Sequence, residues 1–203
     1  MNIYTIQTTP IETNTYLVTN GKLGFLVDPG GDEDKIDKII HEAGDVSIEA
    51  VLLTHAHADH IGAVKYYKDK GAKVYLHKAD LEKIGSFKNY GFALGIKVKP
   101  FEVDVVLEGG EKLNVAGLDI FVIHTPGHSK GGVCYVVEDS IFPGDTIFAA
   151  SYGRVDMYDG DFNELKDSIE NKLFTLKGNY KLYPGHGPET SLELERNANP
   201  ICW

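Results

Sequence analysis

The spacing of apolar residues changes period several times along the chain, and each change marks a predicted element. Thr15-Tyr16-Leu17-Val18 and Gly24-Phe25-Leu26-Val27 are short runs of strand-forming residues separated by Thr19-Asn20-Gly21, a strand, turn, strand pattern. Beyond Asp28-Pro29-Gly30-Gly31 the period lengthens. Ile36, Ile39, Ile40 and Ala43 fall at i, i+3, i+4 and i+7, with Asp32 as the expected N-cap and Gly44 as the stop, so a helix is predicted. Ala50-Val51-Leu52-Leu53-Thr54 is a continuous apolar run of the buried parallel-strand kind and leads directly into His55. A second helical stretch from Gly62 to about Lys70 stops at Gly71, and Ala72-Lys73-Val74-Tyr75-Leu76 reads as the next parallel strand. Residues 86–100 hold no period; their glycines and aromatics fit a loop beside a site and a plain surface connection equally.

The second half reads as antiparallel strands at 117–123, 132–137 and 140–142, separated by turn signals. From Asp161 as N-cap, Phe162, Leu165, Ile169 and Leu173 hold one helical face. Tyr180-Lys181-Leu182-Tyr183 forms a last strand ending in Pro184-Gly185-His186, and Thr190 with Glu193 reads as a capping box for a final helix. Strands flanked by helices predict an α/β chain of two mixed sheets packed together with helices outside. No linker, tandem repeat or low-complexity segment interrupts this order, so residues 1–203 are expected to form a single domain.

Charge narrows the partners. With 20 basic against 30 acidic side chains the net charge is −10 and is spread along the chain, which argues against nucleic acid or an anionic membrane and for a small-molecule substrate. Oligomeric state is left open. The first residues carry no basic stretch followed by an apolar run, and no segment is apolar enough to span a bilayer, so a cytoplasmic location is expected. Cys134 and Cys202, far apart, do not make a disulfide framework.

Thr54-His55-Ala56-His57-Ala58-Asp59-His60 places three imidazoles and a carboxylate within six positions at the end of a predicted strand. These are the ligand types a divalent transition metal prefers. If His55 and His57 face one metal, Asp59 and His60 can reach a second beside it. His128 closes Thr125-Pro126-Gly127-His128, Asp145 closes Phe142-Pro143-Gly144-Asp145, and His186 closes Tyr183-Pro184-Gly185-His186. Three recurrences of strand, proline, glycine and ligand-type residue are improbable as loop decoration. The glycine allows the tight bend that turns the next side chain inward. One cation needs three or four protein ligands, so the chain offers enough for two.

This order, His-x-His-x-Asp-His followed by a distant His, an Asp and a His, resembles the metallo-β-lactamase superfamily over nearly the whole chain. Val27-Asp28-Pro29-Gly30-Gly31, Gly144-Asp145-Thr146-Ile147-Phe148 and Gly153-Arg154-Val155-Asp156 are most similar to its small glyoxalase II-like hydrolases. The resemblance implies a four-layered αββα sandwich. It also implies that His55, His57 and His128 hold the first metal, that Asp59, His60 and His186 hold the second, and that Asp145 bridges them. The further helical domain by which glyoxalase II grips glutathione has no counterpart in the 17 residues after His186.

The implied chemistry is hydrolysis by a hydroxide shared between two divalent ions, zinc first, with iron or manganese compatible with the same donors. Asp59 and Asp145 are the carboxylates placed at the reacting centre. A thiol, with a pKa of about 8.5, leaves without a proton, whereas an amide nitrogen needs one. No general acid stands out beyond the ligands, which favours thioesters such as S-acylglutathione, then lactones or esters, over β-lactams. Other readings are a mono-iron oxidoreductase resembling the persulfide dioxygenases and a metal-binding protein without turnover. Asp28 is an ordinary turn-former or an acceptor for a ligand imidazole. Arg154 with Asp156 reads as a loop-bracing ion pair more than a substrate contact, while Tyr152 and Phe148 are candidates for the pocket wall. His41, His77 and His124 read as structural, Lys177 and Lys181 as solvated surface, and Cys134 as a small core residue.

Overall fold

A computed structural model describes residues 1–203. The first sheet runs β1 (Asn2–Thr8), β2 (Thr13–Asn20), β3 (Leu23–Val27), β4 (Ser47–Leu52), β5 (Lys73–His77) and β6 (Val105–Leu107), each hydrogen-bonded to the next. Its first three strands are antiparallel and β3 to β6 are parallel, so the sheet is mixed. In the second sheet β7 (Lys112–Val115), β8 (Leu118–His124), β9 (Val133–Val137) and β10 (Ser140–Gly144) form an antiparallel meander. A small hairpin follows, β11 (Ile147–Phe148) with β12 (Ser151–Tyr152). Then β13 (Lys181–Pro184) pairs parallel with β10, and β14 (Thr190–Ser191) pairs antiparallel with β13.

The period-2 alternation of the strands decides how the layers stack. Tyr16 and Val18, Phe25 and Val27, and Ala50 and Leu52 pack with Val133, Tyr135 and Val137 in one cluster between the sheets. Their alternates Leu17, Leu26 and Val51 join a second cluster that includes Ile36 of α1 (Glu33–Glu42), Ile61 of α2 (Ala58–Ile61), and Val64 and Tyr67 of α3 (Val64–Asp69). On the far side Cys134, Ile141 and Leu182 join Leu165 of α5 (Phe162–Asp167), Ile169 and Leu173 of its π-helical continuation, and Leu192 of α6 (Leu192–Ala198). Helices, sheet, sheet and helices therefore lie in that order, the four-layered arrangement the resemblance implied.

Several local outcomes differ from the predicted ones. Strand β1 was not foreseen; in Asn2-Ile3-Tyr4-Thr5-Ile6-Gln7-Thr8 only Ile6 and Thr8 are fully buried, the weak pattern of an edge strand. Asp32 occupies the N-cap position of α1 in a left-handed conformation and makes no cap bond. Its carboxylate accepts from the Thr9 amide (3.0 Å) and hydroxyl (2.7 Å) instead, tying the helix start to the β1–β2 turn. Asp161 does cap α5, accepting from the Asn163 and Glu164 amides. The expected capping box at Thr190 is displaced by one residue: Ser191 caps α6, and the Thr190 hydroxyl donates to Glu195. Residues 86–100 contain a short helix, α4 (Gly91–Leu94).

Because β3 and β4 are parallel, as are β10 and β13, their C-terminal ends meet along one edge of the sandwich. That edge receives Asp28, the histidine run, Asp145 and His186. No helix is long and apolar enough to cross a membrane.

Candidate metal centre

Strand β4 delivers the chain to His55, His57 stands extended at the start of α2, and Asp59 and His60 lie in the single turn of α2. All four are buried. Ligand-capable atoms of His55, His57 and His128 lie within 4.8 Å of one another, and so do those of Asp59, His60 and His186. Asp145 faces both trios. One of its oxygens is 3.4 Å from His60 Nε2; the other is 3.5 Å from His128 Nε2 and 3.7 Å from His186 Nε2. Asp28, His55 and His60 also fall within ligand reach of one another, but both Asp28 oxygens are committed elsewhere. They accept from the Thr54 amide (2.8 Å) and hydroxyl (2.5 Å) and face His60 Nδ1 at 2.9 Å.

Whether metal ions fit is decided by what the buried polar atoms lack. Nε2 of His55, His57 and His60 and Oδ1 of Asp145 are buried with no hydrogen-bond partner. Unpaired buried polar atoms are rare because each forfeits its hydration; in the first trio His57 Nδ1 also faces His128 Nε2 at 2.9 Å, so ligand atoms gather where one ion could serve them all. Imidazole nitrogens and carboxylate oxygens are donors for divalent zinc, iron or manganese, so the residues fit two such ions. The outer nitrogens are already placed. His60 Nδ1 donates to Asp28, and His128 Nδ1 donates to the Arg154 carbonyl at 2.7 Å, so each ring turns its Nε2 inward.

The electrostatics follow from the same packing. Burial, reinforced by the neighbouring imidazoles, pushes the pKa of His55 and His57 well below the histidine range, so both are neutral donors. For His60 burial works in the same direction but is outweighed by Asp59, Asp145 and Asp28, which raise it well above that range. Asp59 is the converse: burial favours its neutral form, yet His60 and His186 hold it well below the carboxylate range. The half of the centre around Asp59 is therefore anionic and closely balanced by imidazolium, a charge that a bound cation displaces.

The glycines before His128, Asp145 and His186 serve in two ways. Gly127 and Gly144 take positive φ, 136° and 52°, at tight bends. Gly185 does not; there a Cβ would overlap the Asp145 carboxylate.

A cavity of about 460 Å³ opens over the centre, its wall carrying Ile11, Tyr90, Leu94, Phe148 and Met157. Phe148 thus lies where the sequence placed it. Tyr152 is not in this lining and instead packs against Phe162, with ring centroids 5.8 Å apart. Arg154 and Asp156 stand at the wall as an exposed bidentate ion pair, 2.8 and 2.9 Å, so it is the main chain of Arg154 that reaches a candidate ligand. His41 pairs with Asp45 on the surface, and His77 stacks on His124 away from the centre.

Thr13 and Asn14 precede the strand predicted from Thr15 and were not singled out in the sequence, yet both support the site. The Thr13 hydroxyl donates to Asp59 (2.9 Å), and the Asn14 amide donates to the carbonyls of Pro184 (3.0 Å) and Gly187 (2.8 Å). The Tyr16 hydroxyl donates to Pro184 as well, at 2.6 Å. Their only signal is a polar pair inside a strand whose other residues are buried. Asp80, Lys83 and Ser129, fully buried beside the histidine run, were also missed.

A sequence model described as the metallo-beta-lactamase superfamily matches residues 8–186, a span that takes in every residue of both trios. The chain belongs to the metallo-beta-lactamase superfamily. Among curated members it is 37% identical over 197 residues to the probable metallo-hydrolase YqgX of Bacillus subtilis, covering 95% of this chain and 93% of that one. It is 29% identical to the hydroxyacylglutathione hydrolase GloC of Haemophilus influenzae, covering 99% and 98%. Among solved members it superposes on BLEG-1 B3 metallo-beta-lactamase with a TM-score of 0.92 and on TTHA1623 in a di-iron-bound form with 0.87. Each is 35% identical and covered to 99%, over 98% of this chain. This superfamily member therefore shares its family with metallo-hydrolases and carries His and Asp clusters suited to metal.

Proposed function

We propose that the protein is a dinuclear metal-dependent hydrolase of thioesters of the S-acylglutathione kind or of related esters. The observation that carries this reading is the pair of trios, buried but for the half-buried His186, with Asp145 between them at the floor of an open cavity. His55, His57 and His128 would hold one ion, Asp59, His60 and His186 the other, and Asp145 would touch both. When bound, such ions acidify water and polarise a carbonyl.

The chain's own residues then orient and exclude. Asp28 and the Arg154 carbonyl fix two imidazole rings, and Thr13 fixes the Asp59 carboxylate. Ile11, Leu94, Phe148 and Met157 give the substrate an apolar wall. Outside the trios and Asp145 the one carboxyl in that wall is Asp156, which its hydrogen bond with Arg154 holds below the usual carboxylate range. It is ionised at neutral pH and has no proton to deliver, which suits a thiolate leaving group better than an amide nitrogen. The kinship to a hydroxyacylglutathione hydrolase supports the same substrate class.

Metal analysis of purified protein together with a screen of thioesters, lactones, β-lactams and a thiol persulfide tests this. Two ions per chain and thioester hydrolysis abolished by Asp145→Ala are expected. A single iron with oxygen consumption on the persulfide would overturn the reading in favour of an oxidoreductase, and no turnover in any arm would leave a metal-binding protein.

A further inference from the structure

Lys83 is a fully buried lysine that the hydrolytic reading does not use. Its ammonium lies 2.8 Å from Asp80 Oδ1 and 2.8 Å from Asp159 Oδ2, and it donates to the Ser129 hydroxyl. Two buried carboxylates face one buried cation, and main-chain donors from two segments meet part of the surplus negative charge, Asp159 Oδ1 being left without a hydrogen-bond partner. Asp80 accepts from the amides of Ala56 and Gly131, each at 2.8 Å, and Asp159 accepts from the Lys130 amide at 3.0 Å. The Ser129 hydroxyl sits 2.6 and 2.7 Å from the two Asp80 oxygens. No space is left over, since a Cβ at Gly131 would strike the Asp80 carboxyl.

The partners of this cluster are not scattered. Ala56 lies between His55 and His57, and Ser129 follows His128. Asp159 belongs to the segment whose Arg154 carbonyl receives the His128 ring proton. All three imidazoles of one trio are therefore held, through their own main chain or that segment, by one charged knot. Asp59, His60 and His186 rest on different supports: Thr13, Asp28 and the Asn14 clamp on the loop around His186. A buried ion cluster is weak as a source of stability, because desolvating the charges cancels much of their attraction. Its distinctive product is fixed geometry.

We propose that Lys83, with Asp80 and Asp159, is a positioning residue that keeps His128 in register with His55 and His57, so that one of the two metal positions depends on it and the other does not. This rests on the reading of the centre as a holder of two ions. The test is chelator-competition titration of zinc into wild type, Lys83→Met and Asp159→Asn, with circular dichroism of each metal-free protein. Asp159→Asn keeps the Lys130 bond and leaves a one-to-one ion pair, so it remains informative if Lys83→Met does not fold. Asp159→Asn should weaken one ion about 10-fold and Lys83→Met about 100-fold, the other ion staying at its wild-type affinity; support for a ligand is commonly worth that range. The affected ion should be the one removed by His128→Ala. Adding Lys83→Met to His128→Ala should then leave the remaining affinity unchanged, and adding it to His186→Ala should weaken the one remaining ion about 100-fold. A folded variant with both affinities unchanged, or both lowered alike, overturns the proposal and shows a merely structural cluster. Wild type holding fewer than two ions overturns the dinuclear reading, and this proposal with it.

Discussion

Asp28→Asn is the substitution whose effect can be worked through atom by atom. Asp28 is buried with φ at 48°, a left-handed conformation that asparagine tolerates, so the backbone need not move. One amide position can still accept from the Thr54 main chain, but the other becomes an NH2 group facing the Thr54 hydroxyl and His60 Nδ1. The hydroxyl can rotate and accept. The imidazole can accept only by moving its proton from Nδ1 to Nε2, the nitrogen that should carry a lone pair toward the metal. Coordination then requires either two donors face to face or one left unpaired in a buried site, about 2–3 kcal/mol. At about 1.4 kcal/mol per factor of ten this is a loss of roughly 30- to 150-fold in affinity for the ion held by Asp59, His60 and His186. Zinc titration against a chelator reads the loss directly, and His128→Ala serves as the control that removes the other ion. Wild-type affinity for both ions in folded Asp28→Asn would show that Asp28 does not set the His60 tautomer.

Three further outcomes follow from the same packing. Stripping the metals should lower the melting temperature by about 10–20 °C, since two ions each present at 100 times Kd add roughly 5 kcal/mol; calorimetry with and without chelator checks it, and coincident melts would refute two bound ions. Tyr16→Phe should cost about 1 kcal/mol, or 2–4 °C, because the Pro184 carbonyl it abandons keeps the Asn14 bond; a loss several times larger would show that the clamp is cooperative. Burial pushes the Cys134 thiol up to about 11, so at pH 8 its thiolate is roughly one part in a thousand. Native protein should therefore give one reactive thiol, the exposed Cys202, and unfolded protein two, counted by a colorimetric thiol reagent.

What could be read in advance divides by distance along the chain. The histidine run, the strands feeding it and the α1 face were legible because ligand types and apolar periods are local patterns. So was the layering, which the strands flanked by helices and the family resemblance both implied. The supports were not. Thr13 meets Asp59 across 46 residues, Asn14 meets Gly187 across 173, and Lys83 meets Ser129 across 46, and nothing in a short window signals such pairings. Arg154 shows a different limit: the sequence displays its guanidinium, while the group that touches His128 is a carbonyl every residue possesses. The Thr190 cap missed by one place because Ser191, the better-placed hydroxyl, stood beside it.

The Asn14 clamp has a consequence for how the protein comes into being. The hydroxyl and amide groups that steady the last histidine are synthesised about 170 residues before the loop they grip. Joining residues so far apart is a long-range closure of the kind that slows folding. A nascent chain can display His55 to His60 well before it can enclose an ion, so a second ion could be held only once the loop that carries His186 has been made.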